Sequence, residues 1–146
     1  MPRSDAPRFI SRTAEHAVRA LLYIAANGPD ALKASAIARY LGAPPNYMSK
    51  TLHALANAGI LSSRRGPTGG FRLAVDPAEL TLARIIEVVD DPAPKDICLI
   101  ENTRCSDRSP CAVHARWKKV SEQVWGPLRA TTLADLNPAA SDRQPR

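Results

Sequence analysis

Between Ala34 and Val75 the chain sets two short amphipathic segments around a tight turn and follows them with a glycine-rich hairpin. No other stretch restricts the fold as much. The first segment, Ala34 to Leu41, turns Ile37, Ala38 and Leu41 inward, and Gly42-Ala43-Pro44 ends it. The second starts at Pro45, whose fixed φ suits a first helical turn, and buries Met48, Leu52 and Leu55 at i, i+4 and i+7. Asn46, Tyr47, Ser49, Lys50 and His53 fall on its opposite face. Two short helices joined this way make a helix-turn-helix. The outward set of the second helix suits base edges and phosphates in a major groove, although any surface helix is polar outside.

The hairpin weighs toward nucleic acid. Ile60 to Arg65 and Phe71-Arg72-Leu73 flank Gly66-Pro67-Thr68-Gly69-Gly70, with Phe71, Leu73 and Val75 alternating inward. Such a wing carries Arg64, Arg65 and Arg72, with Thr68 at its tip, to phosphate or to the minor groove. A nucleotide-cradling loop is the competing use of these glycines, but the Walker lysine is missing. Charge is distributed accordingly: residues 1–75 carry a net +7 and residues 76–146 a net −1. The basic, partner-binding surface therefore belongs to the first half.

All three cysteines lie in one polar stretch, Cys98 to His114, at C-x6-C-x5-C-x2-H spacing. Their number is odd and no signal peptide precedes them, which argues against a disulfide scaffold. A disulfide switch between two of them stays open. Zinc in a Cys3His set and an iron–sulfur cluster stand level on spacing alone, since zinc cysteines usually pair as C-x2-4-C and clusters accept histidine. A catalytic thiol is disfavoured, because no general base is paired with it in sequence. Pro110 predicts a helix start at Cys111, with His114 on the same face, and Arg104 and Arg108 flank Cys105 to stabilise thiolates.

The remaining segments complete an aliphatic, helical chain, 45% apolar but only 5% aromatic. A core helix is expected from Ser11 to Ala26, and another from Leu82 to Val89, capped by Thr81, with Leu82, Ile85, Ile86 and Val89 as its stripe. Asp90-Asp91-Pro92-Ala93-Pro94 breaks into the cysteine loop. The last long helix shows Val113, Trp117, Val120, Val124 and Leu128 as a seam that wants a partner helix, with Gly126-Pro127 kinking or thinning its end. Thr132 should cap a final turn. The expected fold class is mainly α with a small β-wing: a winged helix-turn-helix (1–90), a cysteine loop (91–110), a dimerisation helix with terminal turn (111–136) and a disordered tail (137–146). A cytoplasmic location is expected, and no membrane-spanning segment.

Several stretches together resemble the Rrf family of winged-helix regulators, of the IscR and NsrR type. They are E-H-A-V-R-A-L-L at Glu15 to Leu22, P-P-N-Y-M-S-K-T-L at Pro44 to Leu52, the wing from Ala58 to Leu73, the three cysteines, and T-L-A-D-L at Thr132 to Leu136. The resemblance spans about Ser11 to Leu136. It implies a homodimer, double-stranded DNA as partner, no enzymatic activity, and an iron–sulfur cluster on Cys98, Cys105 and Cys111. DNA binding would then change when the cluster is lost, oxidised or nitrosylated. Repression is expected ahead of activation, and a 2Fe-2S cluster ahead of a 4Fe-4S one. For the fourth ligand it offers His114, as in IscR-like members, with Glu15 as the NsrR-like rival, often reaching across the dimer. Three departures stand out: the first cysteine gap is six residues where many members have five, Lys33 replaces a frequent Ser or Thr cap, and Phe71 replaces tyrosine.

Overall fold

Ser11 opens the first helix by accepting the Ala14 amide at 2.9 Å, and it also donates to the Asp90 carboxylate far along the chain. Helix α1 (Arg12–Ala26) therefore starts one residue after the expected Ser11, which is its cap. The computed structural model describes residues 9–137. Ala17, Ala20, Leu21 and Ile24 of α1 are buried in the main core. Helices α2 (Ala34–Leu41) and α3 (Pro45–Asn57) pack there through Ile37, Ala38, Leu41, Met48, Leu52 and Leu55, the inward sets that periodicity assigned. Lys33 caps α2 without a side-chain bond, so the departure at that position leaves an amide unserved by its cap residue.

Strands β1 (Leu61–Arg64) and β2 (Gly70–Leu73) pair antiparallel with Leu61 opposite Leu73 and Arg64 opposite Gly70. A third segment joins them: Leu32 and Phe71 exchange both backbone bonds, at 2.9 and 2.8 Å. Sequence patterning gave no sign of this bridge. Gly70 makes it possible, because its φ is +143° and a Cβ there would lie 2.4 Å from the Leu32 carbonyl oxygen.

Helix α4 (Leu82–Val89), capped by the Thr81 hydroxyl, buries Ala83, Ile85 and Ile86. A 3-10 turn (Pro94–Asp96) leads to the cysteine loop, and α5 (His114–Ala130) follows. Beyond α5, Leu133 enters the main core and its amide donates to Leu80. Asp135 accepts from both the amide and the hydroxyl of Thr132, at 2.8 and 2.9 Å, bonds that hold its carboxyl below the usual range and close the last turn (Ala134–Leu136). Apart from Asn137, the expected tail lies outside the described residues.

The seam expected to meet a partner helix is split between two faces of α5. Its inward stripe is Trp117, Ser121, Trp125 and Leu128, of which Ser121 and Trp125 are buried. Trp125, fully buried, anchors a second core with Ala14, Ala83, Ile86 and Ala93. Val120 and Val124 face outward, 49% and 38% exposed. Ser121 disguised the inward stripe; its hydroxyl is satisfied within the helix by the Lys118 carbonyl. Pro127 sits inside the helix, which continues to Ala130.

Candidate functional site

Two separate surfaces carry the residues singled out by the sequence. The first is the face formed by α3 and the wing. Asn46, Lys50 and His53 are exposed along α3, and Arg64, Arg65, Thr68 and Arg72 are exposed on the hairpin. Arg72 Nε donates to Ser62 Oγ at 3.2 Å across the two strands, which orients that guanidinium. His53 meets Phe71 edge-on with ring centroids 5.1 Å apart, linking the recognition helix to the wing.

Ser49 is half-buried, and Tyr47 also departs from the expected outward set. Its ring packs against the main core, and its hydroxyl lies 3.3 Å from His16 Nδ1. Tyr47 ties the start of α3 to α1. A residue at i−1 from buried Met48 sits at the boundary of the apolar stripe, and only packing decides its side.

The second surface is the cysteine loop. Ile97 and Arg104 pair as an antiparallel bridge; the Cys98 amide donates to Thr103 at 2.7 Å and the Cys105 amide to Asp96 at 2.6 Å. The six-residue gap is thus a small hairpin, turned by Asn102 at φ +51°, whose base brings Cys98 beside Cys105. Trp117 Nε1 donates to the Ile97 carbonyl at 2.8 Å, fastening the first limb of the hairpin to α5. Arg104 pairs with Asp91 at 2.7 Å.

Cys98, Cys105, Cys111 and His114 line one concavity of about 300 Å³, together with Glu101 and Arg104. Among the described residues, no three His, Cys, Asp or Glu side chains are arranged to hold a metal ion as they stand. Cys105 Sγ lies 3.0 Å from His114 Nδ1, and His114 Nε2 lies 2.8 Å from Asp107 Oδ1. Lys118 Nζ reaches the same Asp107 oxygen at 2.8 Å. Lys118 and then His114 hold the Asp107 carboxyl below its usual range, and Asp107 in turn raises Lys118.

Two expectations fail here. Helix α5 begins at His114, with Cys111 in the preceding turn, so Cys111 and His114 meet through a turn bond of 3.1 Å from the His114 amide to the Cys111 carbonyl, not along a helix face. Nor do the flanking arginines lower Cys105: desolvation raises its thiol and the Cys98 and Cys111 sulfurs add to that, while Arg104 is engaged with Asp91. Cys98 is the lowered thiol, through the backbone amides of Glu101 and Ile100 and then the Cys111 side chain.

Glu15 lies elsewhere in the chain. It pairs with Arg19 at 3.7 Å and lines a concavity with Arg12, His16, Leu41, Gly42, Pro44 and Tyr47. Asp107 and Glu101 were missed by the sequence reading; the available signal was a carboxylate inside the cysteine segment, which spacing rules for ligands do not weigh.

A helix-turn-helix followed by a basic wing is the architecture of winged-helix DNA-binding regulators. Residues 10–139 match the Rrf2 family, described as an iron-dependent transcriptional regulator. The chain belongs to the Rrf2 family of DNA-binding transcriptional regulators and is not an enzyme. A relative from Aquifex aeolicus (strain VF5) is 34% identical over 130 residues, spanning 88% of this chain and 90% of its own length. The HTH-type transcriptional regulator IscR of Klebsiella pneumoniae (strain 342) is 32% identical, over 83% of this chain and 74% of its own. Among solved structures, CymR, the global cysteine regulator of B. subtilis, superposes with a TM-score of 0.70 at 26% identity, over 92% of this chain and 98% of its own. T. potens IscR shares the fold, with a TM-score of 0.72 at 24% identity, over 94% and 91% of the two chains. Among the described residues no helix is long and apolar enough to cross a membrane.

Proposed function

We propose that this regulator is a cytoplasmic, homodimeric repressor whose operator binding responds to an iron–sulfur cluster held by Cys98, Cys105, Cys111 and His114. The observation that carries this reading is the convergence of three thiols and one imidazole on a single concavity. Thiolate sulfurs with one histidine nitrogen are a donor set that suits such a cluster, 2Fe-2S in preference to 4Fe-4S. The family description and the IscR relative support iron as the metal. Glu15, outside the concavity of its own chain, becomes the fourth ligand only by arriving from a second copy.

The bound cluster supplies sensitivity to redox state, nitric oxide or iron–sulfur supply. The chain does the rest. The loop lies between α4, which packs on the winged region, and α5, whose exposed Val120 and Val124 suit a second copy of the same helix. Drawing the thiols together tightens the loop and sets the angle between two recognition helices, which must fall one DNA turn, about 34–36 Å, apart. Asn46, Ser49, Lys50 and His53 meet the major groove, Tyr47 positions the start of that helix, and Arg64, Arg65, Thr68 and Arg72 hold the backbone.

The test is anaerobic purification followed by the visible spectrum and iron, sulfide and zinc analysis of the same sample. Brown protein with matched iron and sulfide is expected. Colourless protein with stoichiometric zinc overturns the sensor and makes the loop a structural staple.

A thiol–disulfide regulator is the second reading, favoured by Cys98 and Cys111 lining the same concavity. Its likeness to CymR adds to that. One peroxide molecule would take two electrons and two protons from that pair, leaving one S–S bond and two waters. Loss of two free thiols on mild peroxide treatment of iron-free protein, reversed by dithiothreitol and changing operator affinity, distinguishes it.

A further inference from the structure

We infer that Asp107, braced by Lys118, is a positioning residue that fixes the His114 ring so that Nδ1 faces the thiols as the ligating atom. This rests on the cluster reading above and deepens it. His114 is the first residue of α5 and its side chain is only 12% exposed, so the ring has little room to turn. One edge lies 3.0 Å from Cys105 Sγ through Nδ1, and the other lies 2.8 Å from Asp107 Oδ1 through Nε2. A carboxylate oxygen only accepts, so Nε2 must carry the ring proton. With one ring proton, that on Nε2, the lone pair sits on Nδ1, on the side of the sulfurs.

Lys118 makes the arrangement more than a surface contact. It lies one turn beyond His114 on the same face of α5, and its ammonium reaches the same Oδ1 at 2.8 Å. Asp107 is otherwise an exposed side chain on the loop, two residues past Cys105. The lysine and histidine hold it from the helix, so the clasp joins the Cys105 limb of the loop to the start of α5. A Lys–Asp pair alone would be an ordinary surface ion pair of little consequence. The shared oxygen connects it to a metal-facing imidazole, the arrangement by which carboxylates commonly orient histidine ligands.

Two measurements test this on the full-length protein. In reduced, metal-free, 15N-labelled protein, long-range 1H–15N spectra should show His114 as the single Nε2–H tautomer, and Asp107→Ala should convert it to a mixture. In the anaerobically loaded protein, pulsed EPR of the reduced cluster should show direct coupling to a 15N-histidine nitrogen. Asp107→Ala should speed iron release to a chelator about 10- to 100-fold, with Lys118→Ala moving it less in the same direction. A wild-type tautomer and wild-type release rate in Asp107→Ala overturn the positioning role while the cluster stands. A cluster without histidine coupling also overturns it, and loss of iron in Glu15→Gln would then name the ligand. Wild-type protein that takes up no iron and sulfide sinks the cluster reading and this inference with it.

Discussion

The winged region, residues 12–89, and the cysteine loop, residues 97–113, are held together by opposite means. The first closes around apolar side chains from α1, α2, α3 and the hairpin, with Leu21, Ile37, Met48, Leu52 and Leu55 shut from solvent. In the loop no residue is buried. Its order comes from the Ile97–Arg104 bridge, the Trp117 indole on Ile97, the Arg104–Asp91 pair and the Asp107 clasp. Apolar burial gives the winged region a fixed shape at any redox state, because it holds no thiol. Polar contacts each contribute little net free energy, so the loop can respond to whatever its thiols hold. Under the proposed function, this inequality lets a stable DNA reader and a responsive loop share one chain.

Four substitutions sharpen or break that contrast. Trp125→Ala should have the largest effect, about 3–5 kcal/mol of lost stability, because it empties the second core that fixes α5 to α1 and α4. Thermal unfolding would register it, and a loss below 1 kcal/mol would mean that α5 is not anchored there. Gly70→Ala should cost about 1–3 kcal/mol through its positive φ and the Leu32 carbonyl, with weaker operator binding. Unchanged melting and DNA affinity would refute the bridged wing.

Trp117→Phe removes one hydrogen bond to Ile97, worth about 0.5–1.5 kcal/mol. Amide exchange should quicken around Cys98 while the winged region keeps its protection; spread of the effect into α3 would show that the two regions are not held separately. Arg65→Ala should leave stability within about 0.5 kcal/mol and lower the slope of log affinity against log salt by about 0.9. An unchanged slope would remove the wing from the DNA interface.

The winged fold was legible because its signals are local and agree. Inward residues at helical spacing, Thr81 as a cap and the Gly66 to Gly70 tip all pointed to elements that formed where expected. The start of α5 was misplaced at Cys111 because Pro110 reads as a first-turn residue, whereas the turn through Ala112 and Val113 carries the cysteine ahead of the helix. The α5 seam was read as one face, whereas Trp117 and Leu128 turn inward with Ser121 and Trp125 and leave Val120 and Val124 on the outer side. Hydropathy ranks residue types, while burial depends on which face meets α1 and α4.

The same division holds for the candidate site. Sequence by itself determined the donor inventory, three thiols and one histidine within seventeen residues, together with the basic wing and the family they mark. Tertiary structure decided that Cys98 and Cys105 stand together across a hairpin base and that Glu15 lies in a different concavity. It also decided that Asp107 meets His114 and is braced there by Lys118. Residue identity fixes which atoms can donate or accept, but which of them meet is set by backbone turns and long-range packing that no short window of sequence contains.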